Sequence, residues 1–299
     1  MKHFTFKDFQ QKFPDDVSCL EWLCKRLYPN GIHCKKCDRV TNHHRVFSRP
    51  SYSCANCGHH VHPTADTILH KSSTSLTTWF YAMYLMGSTR CGISAKQIQR
   101  ETGVTYKTAW RMFKQIRKMM DEGGSLTDSV EMDETYIGGK LKNKHRNKLK
   151  QGTHKDKQPV FGMLERGGRV IVKVTKDAKV DTIYPIIAEY VLPATTVYTD
   201  SYTTYDHLSL MRQGYNHQRI NHTAKVYVMG DIHTNTIEGF WSLLKRGIGG
   251  VYHAVSAKHL QSYCDEYSFR YNHRRDEQPM FISLLNRIEK REKSFELPS

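Results

Sequence analysis

Val130-Glu131-Met132-Asp133-Glu134-Thr135-Tyr136-Ile137 decides how this chain is read. It has the composition of a strand, with an aspartate inside it. A second short strand, Thr195 to Tyr198, runs on through Thr199 into Asp200. Neighbouring strands would bring the two carboxylates together, and their mutual repulsion is costly unless a cation lies between them. A third acid, Glu238, belongs to His233-Thr234-Asn235-Thr236-Ile237-Glu238-Gly239-Phe240-Trp241-Ser242-Leu243-Leu244-Lys245-Arg246, which reads as a helix from Asn235. Glu238 lies two helical turns before Lys245, so the two side chains face the same way and Lys245 can hold a phosphate near the acids. Two acids at strand ends and one on a later helix form a donor set for two divalent metals in phosphoryl transfer. Oxygen ligands favour Mg²⁺, with Mn²⁺ as a substitute. Asn235, one turn before Glu238, is the rival third ligand. Glu131 and Glu134, beside Asp133, are read as pointing to the other face or supporting the site. Each acid alone has an ordinary alternative: a turn cap at Asp133, an N-cap at Asp200, a solvated helix residue at Glu238. The inference rests on their order and context.

Outward from this series, Pro159 to Leu164 and Arg169 to Thr175 flank Gly167-Gly168 and predict a hairpin. Asp181 to Val191 reads as an amphipathic helix, residues 202–210 as helical, Gln218 to Asn221 as a short strand, and Ser256 to Tyr271 as a long helix. Between the first two strands, Lys140 to Lys157 is dominated by Lys, Arg and His. Its Lys142, Lys144, Arg146, Lys148 and Lys150, together with Lys245 and Arg246, are candidate phosphate contacts; a solvated loop is the alternative.

Toward the N-terminus, Cys34-x-x-Cys37 and Cys54-x-x-Cys57 form two matched pairs. Four thiolates from two such knuckles close a tetrahedral zinc site, and two matched pairs are more than a redox dithiol needs. The metal stands in for the apolar core that so short a ribbon lacks. Cys19, Cys24, Cys91 and Cys264 are scattered and read as small buried residues. Ser75 can cap a helix carrying Trp79, Phe80, Met83 and Tyr84. Ile93 to Glu101, a tight turn at Thr102-Gly103-Val104, and a helix from Thr105 to Arg117 have the length of a helix-turn-helix. Its second helix would offer Thr105, Tyr106, Lys107, Thr108 and Arg111 to the major groove, with Trp110 and Phe113 inward.

The chain has 299 residues and 45 Lys plus Arg against 29 Asp plus Glu, a formal charge of +16. Such an excess points to a polyanionic partner, and double-stranded DNA comes first. No apolar run is long enough to span a membrane, and the first residues lack the apolar core of a secretory signal. The expected setting is reducing: cytoplasmic and nucleoid-associated in a prokaryote, nuclear in a eukaryote. The expected architecture is multidomain α+β: a helical segment over 1–30, a zinc ribbon over 31–70, a helix-turn-helix domain over 71–124, a mixed α/β catalytic domain over 125–285, and a tail over 286–299.

These motifs resemble the insertion-sequence transposases with an acidic triad, in particular the Merlin-like group. The resemblance is carried by Asp133-Glu134-Thr135-Tyr136-Ile137-Gly138-Gly139-Lys140, Tyr198-Thr199-Asp200 and His233 to Lys245. Further matches are Tyr252-His253-x-x-Ser256-x-Lys258-His259-Leu260 and Phe269-Arg270-Tyr271-Asn272-x-Arg274. The resemblance implies a ribonuclease-H-like domain with a mixed five-stranded sheet, metal-dependent cleavage of element ends, strand transfer, and at least a dimer on DNA. It makes Asp133 and Asp200 the first two triad members; the third is Glu in some members and Asn in others, and Glu238 is preferred here for its charge and its spacing to Lys245. The alternatives are a domesticated DNA-binding protein and a metal-dependent nuclease without strand transfer.

Overall fold

Local caps start the first helices of the computed structural model, which describes residues 4–89, 91–138, 157–220 and 233–290. Thr5 and Asp8 form a reciprocal capping box at α1 (Phe6–Lys12), and Asp15 caps α2 (Asp16–Leu27). The cysteine segment builds two small antiparallel sheets. One pairs β1 (His33–Cys34) with β2 (Arg39–Val40); the other orders β3 (His43–Val46), β4 (Ser51–Cys54) and β5 (His60–Val61). Ser75 then caps α3 (Leu76–Ser88) by accepting from the Thr78 amide. Ser94 and Thr105 cap α4 (Ala95–Thr102) and α5 (Tyr106–Lys118) in the same way. Gly103 ends α4 at φ +73°, a left-handed position that glycine adopts without a Cβ penalty. Phe9, Phe13, Trp22, Phe80 and Tyr84 supply interlocking aromatic contacts among α1, α2 and α3.

By its contacts the chain forms two compact units, Met1–Met119 with Asp276–Ser299, and Met120–Arg275. The second is built on a five-stranded mixed sheet in the order β10-β9-β6-β7-β8. Its strands are β6 (Ser129–Ile137), β7 (Gln158–Glu165), β8 (Val170–Val174), β9 (Thr196–Thr199) and β10 (Asn216–Arg219), with α6 (Val180–Tyr190) between β8 and β9. β6, β7 and β8 form an antiparallel meander, whereas β9 runs parallel to β6 and β10 parallel to β9. The hairpin turns at Gly167, φ +76°. One face of the sheet buries Val130, Met132, Phe161, Met163 and Val197 with Ile183 and Ile187 of α6. The other buries Val160, Leu164, Val170 and Val172 with apolar residues of α7 (Asn235–Gly247) and α8 (Ala257–Asn272). Burial on both faces makes β6 a central strand, and its period-2 alternation then decides which helix each side chain meets.

α7 is amphipathic: Ile237, Phe240, Trp241, Leu244 and Gly247 are buried, while Asn235, Glu238, Lys245 and Arg246 are exposed. Gly247 lets α7 approach α8 closely, for a Cβ there would fall 1.7 Å from the Tyr267 hydroxyl. α7 runs into a π-helical segment, Ile248–Tyr252, for which the sequence offered no reading. Residues 202–210, expected to be helical, instead form two 3-10 turns, Thr203–Tyr205 and Leu208–Leu210. The last helix, α9 (Met280–Leu285), belongs to the first unit and lies on α3, where a Cβ on Gly87 would sit 2.8 Å from the Phe281 amide nitrogen. Among the described residues no helix is long and apolar enough to cross a membrane.

Candidate active site

Register brings the first two acids together. Ser129, Val130 and Glu131 pair in parallel with Thr196, Val197 and Tyr198. Two residues beyond the last of these pairs lie Asp133, still in β6, and Asp200, the residue that follows β9; a two-residue step preserves side-chain direction, so the register carries both toward the same face. That face meets α7: the indole Nε1 of Trp241 donates to Asp133 Oδ2 at 2.9 Å. Burial pushes the Asp133 carboxyl up to about 6; the indole bond opposes the rise, and the charges of Asp200 and Glu238 add to it. Asp200 and Glu238 are thus close enough to act on Asp133, while among the described residues the three carboxylates do not gather into one cluster with ligand atoms within 4.8 Å of one another, as the four cysteines do. Asp200 is held by its own loop, Oδ1 accepting from the Tyr202 amide at 2.9 Å. Asn235 opens α7 and is exposed, as are Glu238 and Lys245.

The two glutamates beside Asp133 take opposite faces. Glu134 points toward α6 and accepts from the Tyr205 hydroxyl at 2.6 Å. Burial, then the charges of Asp133 and Asp200, raise it to about 8 against that hydrogen bond. Glu131 shares the face of Asp133, so of the two readings offered for it, pointing away or supporting the site, it takes the second. It is completely buried. Its Oε2 accepts from the amides of Thr236 and Ile237 at 2.9 and 3.0 Å; its Oε1 accepts from the Thr236 hydroxyl at 2.9 Å and Arg166 Nε at 2.8 Å. A carboxylate at the positive end of a helix is favourable, so Glu131 caps α7 from within the sheet. Arg166 also donates to the His233 carbonyl at 2.6 Å and lies 3.8 Å over the Tyr198 ring. Glu131, Arg166 and Trp241 therefore set where α7 begins relative to β6. The parts of Arg166 and Trp241 were not foreseen; a supporting role for Glu131 was one of its two readings, and the strand period alone puts it beside Asp133.

The sulfurs of Cys34, Cys37, Cys54 and Cys57 lie within 4.8 Å of one another. Cys34–Cys57 and Cys37–Cys54 are 3.5 and 3.9 Å apart. A tetrahedron with metal–sulfur bonds of about 2.3 Å has edges of about 3.8 Å, so the group has the dimensions of a four-thiolate zinc site. The Thr41 hydroxyl lies 3.2 Å from Cys54 Sγ and pulls that thiol down to about 5. Of the scattered cysteines, Cys19 and Cys264 are buried as expected, Cys24 is half-buried and Cys91 is exposed.

In the helix pair α4–α5, Thr105, Tyr106, Lys107 and Arg111 are exposed and Thr108 is half-buried. The Thr105 hydroxyl is spent on the cap, accepting from the Thr108 amide. Phe113 is buried as expected; Trp110 is only half-buried, with Lys114 over its ring. Lys142, Lys144, Arg146, Lys148 and Lys150 lie outside the described residues.

The model of the ISXO2-like transposase domain matches residues 125–272, which contain the sheet, α7 and α8. An uncharacterized protein in transposable element ISH50 of Halobacterium salinarum is 30% identical over 264 residues, 83% of this chain and 88% of that protein. An uncharacterized transposase-like protein of Haemophilus influenzae is 30% identical over 122 residues, 41% of this chain and 94% of that protein. A solved chain from a simian T-cell lymphotropic virus intasome in complex with a PP2A regulatory subunit is 14% identical, over 62% of this chain and 64% of that one; its TM-score of 0.29 is too slight a likeness to carry weight. With its length and its central domain both matched, the chain belongs to the insertion-sequence transposases that carry the ISXO2-like domain.

Proposed function

We propose that the chain is a DNA transposase that binds the ends of a mobile element, cleaves them and joins them to target DNA. The proposed catalytic domain is ribonuclease-H-like and is built on the five-stranded sheet of the second unit, with Asp133, Asp200 and Glu238 as its metal ligands. The observation that carries the reading is the parallel register of β6 and β9, which sets Asp133 and Asp200 side by side facing α7. The donor chemistry fits hard divalent cations: all three groups are carboxylates, and the charges of Asp200 and Glu238 both act on Asp133. Bound there, Mg²⁺ or Mn²⁺ would supply activation of a water or 3′-hydroxyl and stabilisation of the leaving oxygen.

The chain's own groups do the positioning. Trp241 holds one oxygen of Asp133, and the loop amide of Tyr202 holds one of Asp200. Glu131 anchors the first turn of α7, which carries both Glu238 and its rival Asn235. Glu238 is favoured because its charge reaches Asp133. Lys245, two turns on, is proposed to hold a phosphate. The ribbon, with zinc at Cys34, Cys37, Cys54 and Cys57, and the α4–α5 pair, with Thr105, Tyr106, Lys107, Thr108 and Arg111, are proposed to bind DNA. Two copies are proposed to assemble on two element ends.

Asp133→Asn and Asp200→Asn test the assignment, because the amide keeps the shape and loses the charge. Each is expected to abolish Mg²⁺-dependent cleavage of an element-end duplex while leaving affinity for it largely intact, since affinity comes mainly from cations on phosphates. Cleavage near the wild-type rate by either variant would remove the reading.

A further inference from the structure

The β3–β4 hairpin carries Phe47 at its tip, 85% exposed, the highest value among the large hydrophobic side chains described. The tip is not loosely held. Arg45 turns inward, and its Nη1 donates to the carbonyls of Val46, Arg49 and Ser51. The Ser51 amide closes the turn on the Arg49 carbonyl at 2.8 Å. The hairpin therefore presents an aromatic ring to solvent on a braced support, with Arg49 exposed beside it. Behind the tip lies a cleft of about 670 Å³ lined by Phe47, Arg49, His62, Lys71, Ser73 and Thr74, among others. Lys71, also of that lining, is exposed. Asp16 is the acid of that lining, and its carboxylate is engaged by the Thr77 amide and hydroxyl, each at 2.8 Å.

We infer that this hairpin is a DNA contact of the ribbon: Phe47 lies against nucleobases while Arg49 and Lys71 hold the flanking phosphates. This rests on the transposase reading for the identity of the polyanion. A protein partner is disfavoured because a stable interface has an apolar core, whereas Phe47 is the one large hydrophobic side chain of this lining that is exposed, Leu69 and Leu76 being buried, and its exposed neighbours include the cations Arg49 and Lys71. One ring for a base and cations for the backbone is the division of labour found at nucleic-acid surfaces.

The test uses the full zinc-loaded chain with two labelled probes of scrambled sequence, a single strand and a duplex, titrated by fluorescence anisotropy at several salt concentrations. Phe47→Ala, at an exposed tip, leaves the fold intact and is expected to weaken binding to the single strand by about 5- to 100-fold, the scale of one base–aromatic contact, with an unchanged salt slope. Arg49→Gln with Lys71→Gln is expected to lower the slope by about 2, one per phosphate contact. Phe47→Trp is expected to keep the affinity and to add an emission component that changes with DNA. Wild-type affinity in Phe47→Ala, in a chain that binds and cleaves DNA, would overturn the hairpin contact and leave the transposase reading standing. A wild-type chain that binds no DNA would overturn both.

Discussion

Gly162 stands opposite Asp133 in the β6–β7 ladder, and the indole of Trp241 occupies the space a side chain would need. A Cβ at this position would sit 2.6 Å from both Cζ2 and Cη2 of Trp241 and 3.1 Å from Ile237 Cδ1. Ordinary contact begins at 3.4 Å, so Gly162→Ala displaces the ring by about 0.8 Å in a packed interior with little slack. The same ring donates to Asp133 at 2.9 Å, and a shift of that size away from β7 takes the bond to the edge of hydrogen-bonding distance. Overpacking of this kind costs about 1–3 kcal/mol of stability. Losing a hydrogen bond to an ionised carboxylate costs about 1.5–3 kcal/mol, which, if it falls on the transition state, slows cleavage by about 10- to 100-fold. Trp241→Phe removes the donor together with the Cζ2–Cη2 edge that a Gly162 Cβ would meet, so it reports the loss of the indole bond without the overpacking. The assays are thermal unfolding and Mg²⁺-dependent cleavage of an element-end duplex by both single variants and the double. If Gly162 acts on the chemistry through the indole, the double variant cleaves no more slowly than Trp241→Phe. Because the indole bond holds the Asp133 carboxyl down, both singles should also lose activity first at the acid end of the pH profile. Wild-type stability and rate in Gly162→Ala would refute this reasoning.

Metal analysis of the purified chain is expected to give about one zinc per chain; Cys37→Ser or a strong chelator should remove it and unfold the ribbon, as four-thiolate sites of this size predict. A folded, metal-free ribbon would count against that. Glu238→Gln is expected to remove most cleavage activity and Asn235→Ala to cost less, because an amide offers a cation only a dipole; the reverse order would make Asn235 the third ligand. Asp265, half-buried on α8, is raised to about 6, first by burial and then by Asp121, against the bond from Gln261. Its folded value lies above its unfolded one, so the carboxyl is harmless below about pH 4, and its ionisation destabilises the fold as pH rises through 6. Asp265→Asn should therefore raise stability by about 1–2 kcal/mol at pH 7.5 and leave it unchanged at pH 4, as read from urea unfolding. An equal gain at both pH values would exclude ionisation as the cause.

The elements that could be read from the sequence are those whose signals are local. Ser75, Thr105 and Gly103 each carry their capping chemistry within one turn of the position they mark. Gly167 supplies a positive φ just where two apolar runs must reverse. Residues 202–210 misled because their apolar spacing suits a helix, while the chain there closes into two short turns around Tyr205 and Leu208, both buried against the sheet. Tertiary burial overrode local preference. The π-helical segment after α7 has no local signal; its Tyr252 hydroxyl reaches Glu266 on α8 at 3.0 Å, a partner fixed only once both helices have packed.

The acids of the site were legible as a series, but what distinguishes them was not, because their partners lie far along the chain. β6 places Glu131, completely buried, and Asp133 and Glu134, half-buried, within four residues in the middle of a sheet, a heavy load of carboxyl groups. Glu131 is balanced by the N-terminus of α7 and by Arg166, 105 and 35 residues away. Glu134, raised to about 8, is held largely protonated at neutral pH beside the Tyr205 hydroxyl. Among the described residues, Asp133 has one side-chain donor, the neutral indole of Trp241, set against two neighbouring acids. Of the three it is thus the carboxylate whose charge the fold least compensates, and burial without compensation is costly unless something else supplies the opposite charge. The fold neutralises two of these acids and leaves the third open toward α7, where Glu238 and Lys245 stand exposed. That imbalance is a physical reason, independent of any family likeness, to look for the cation at Asp133.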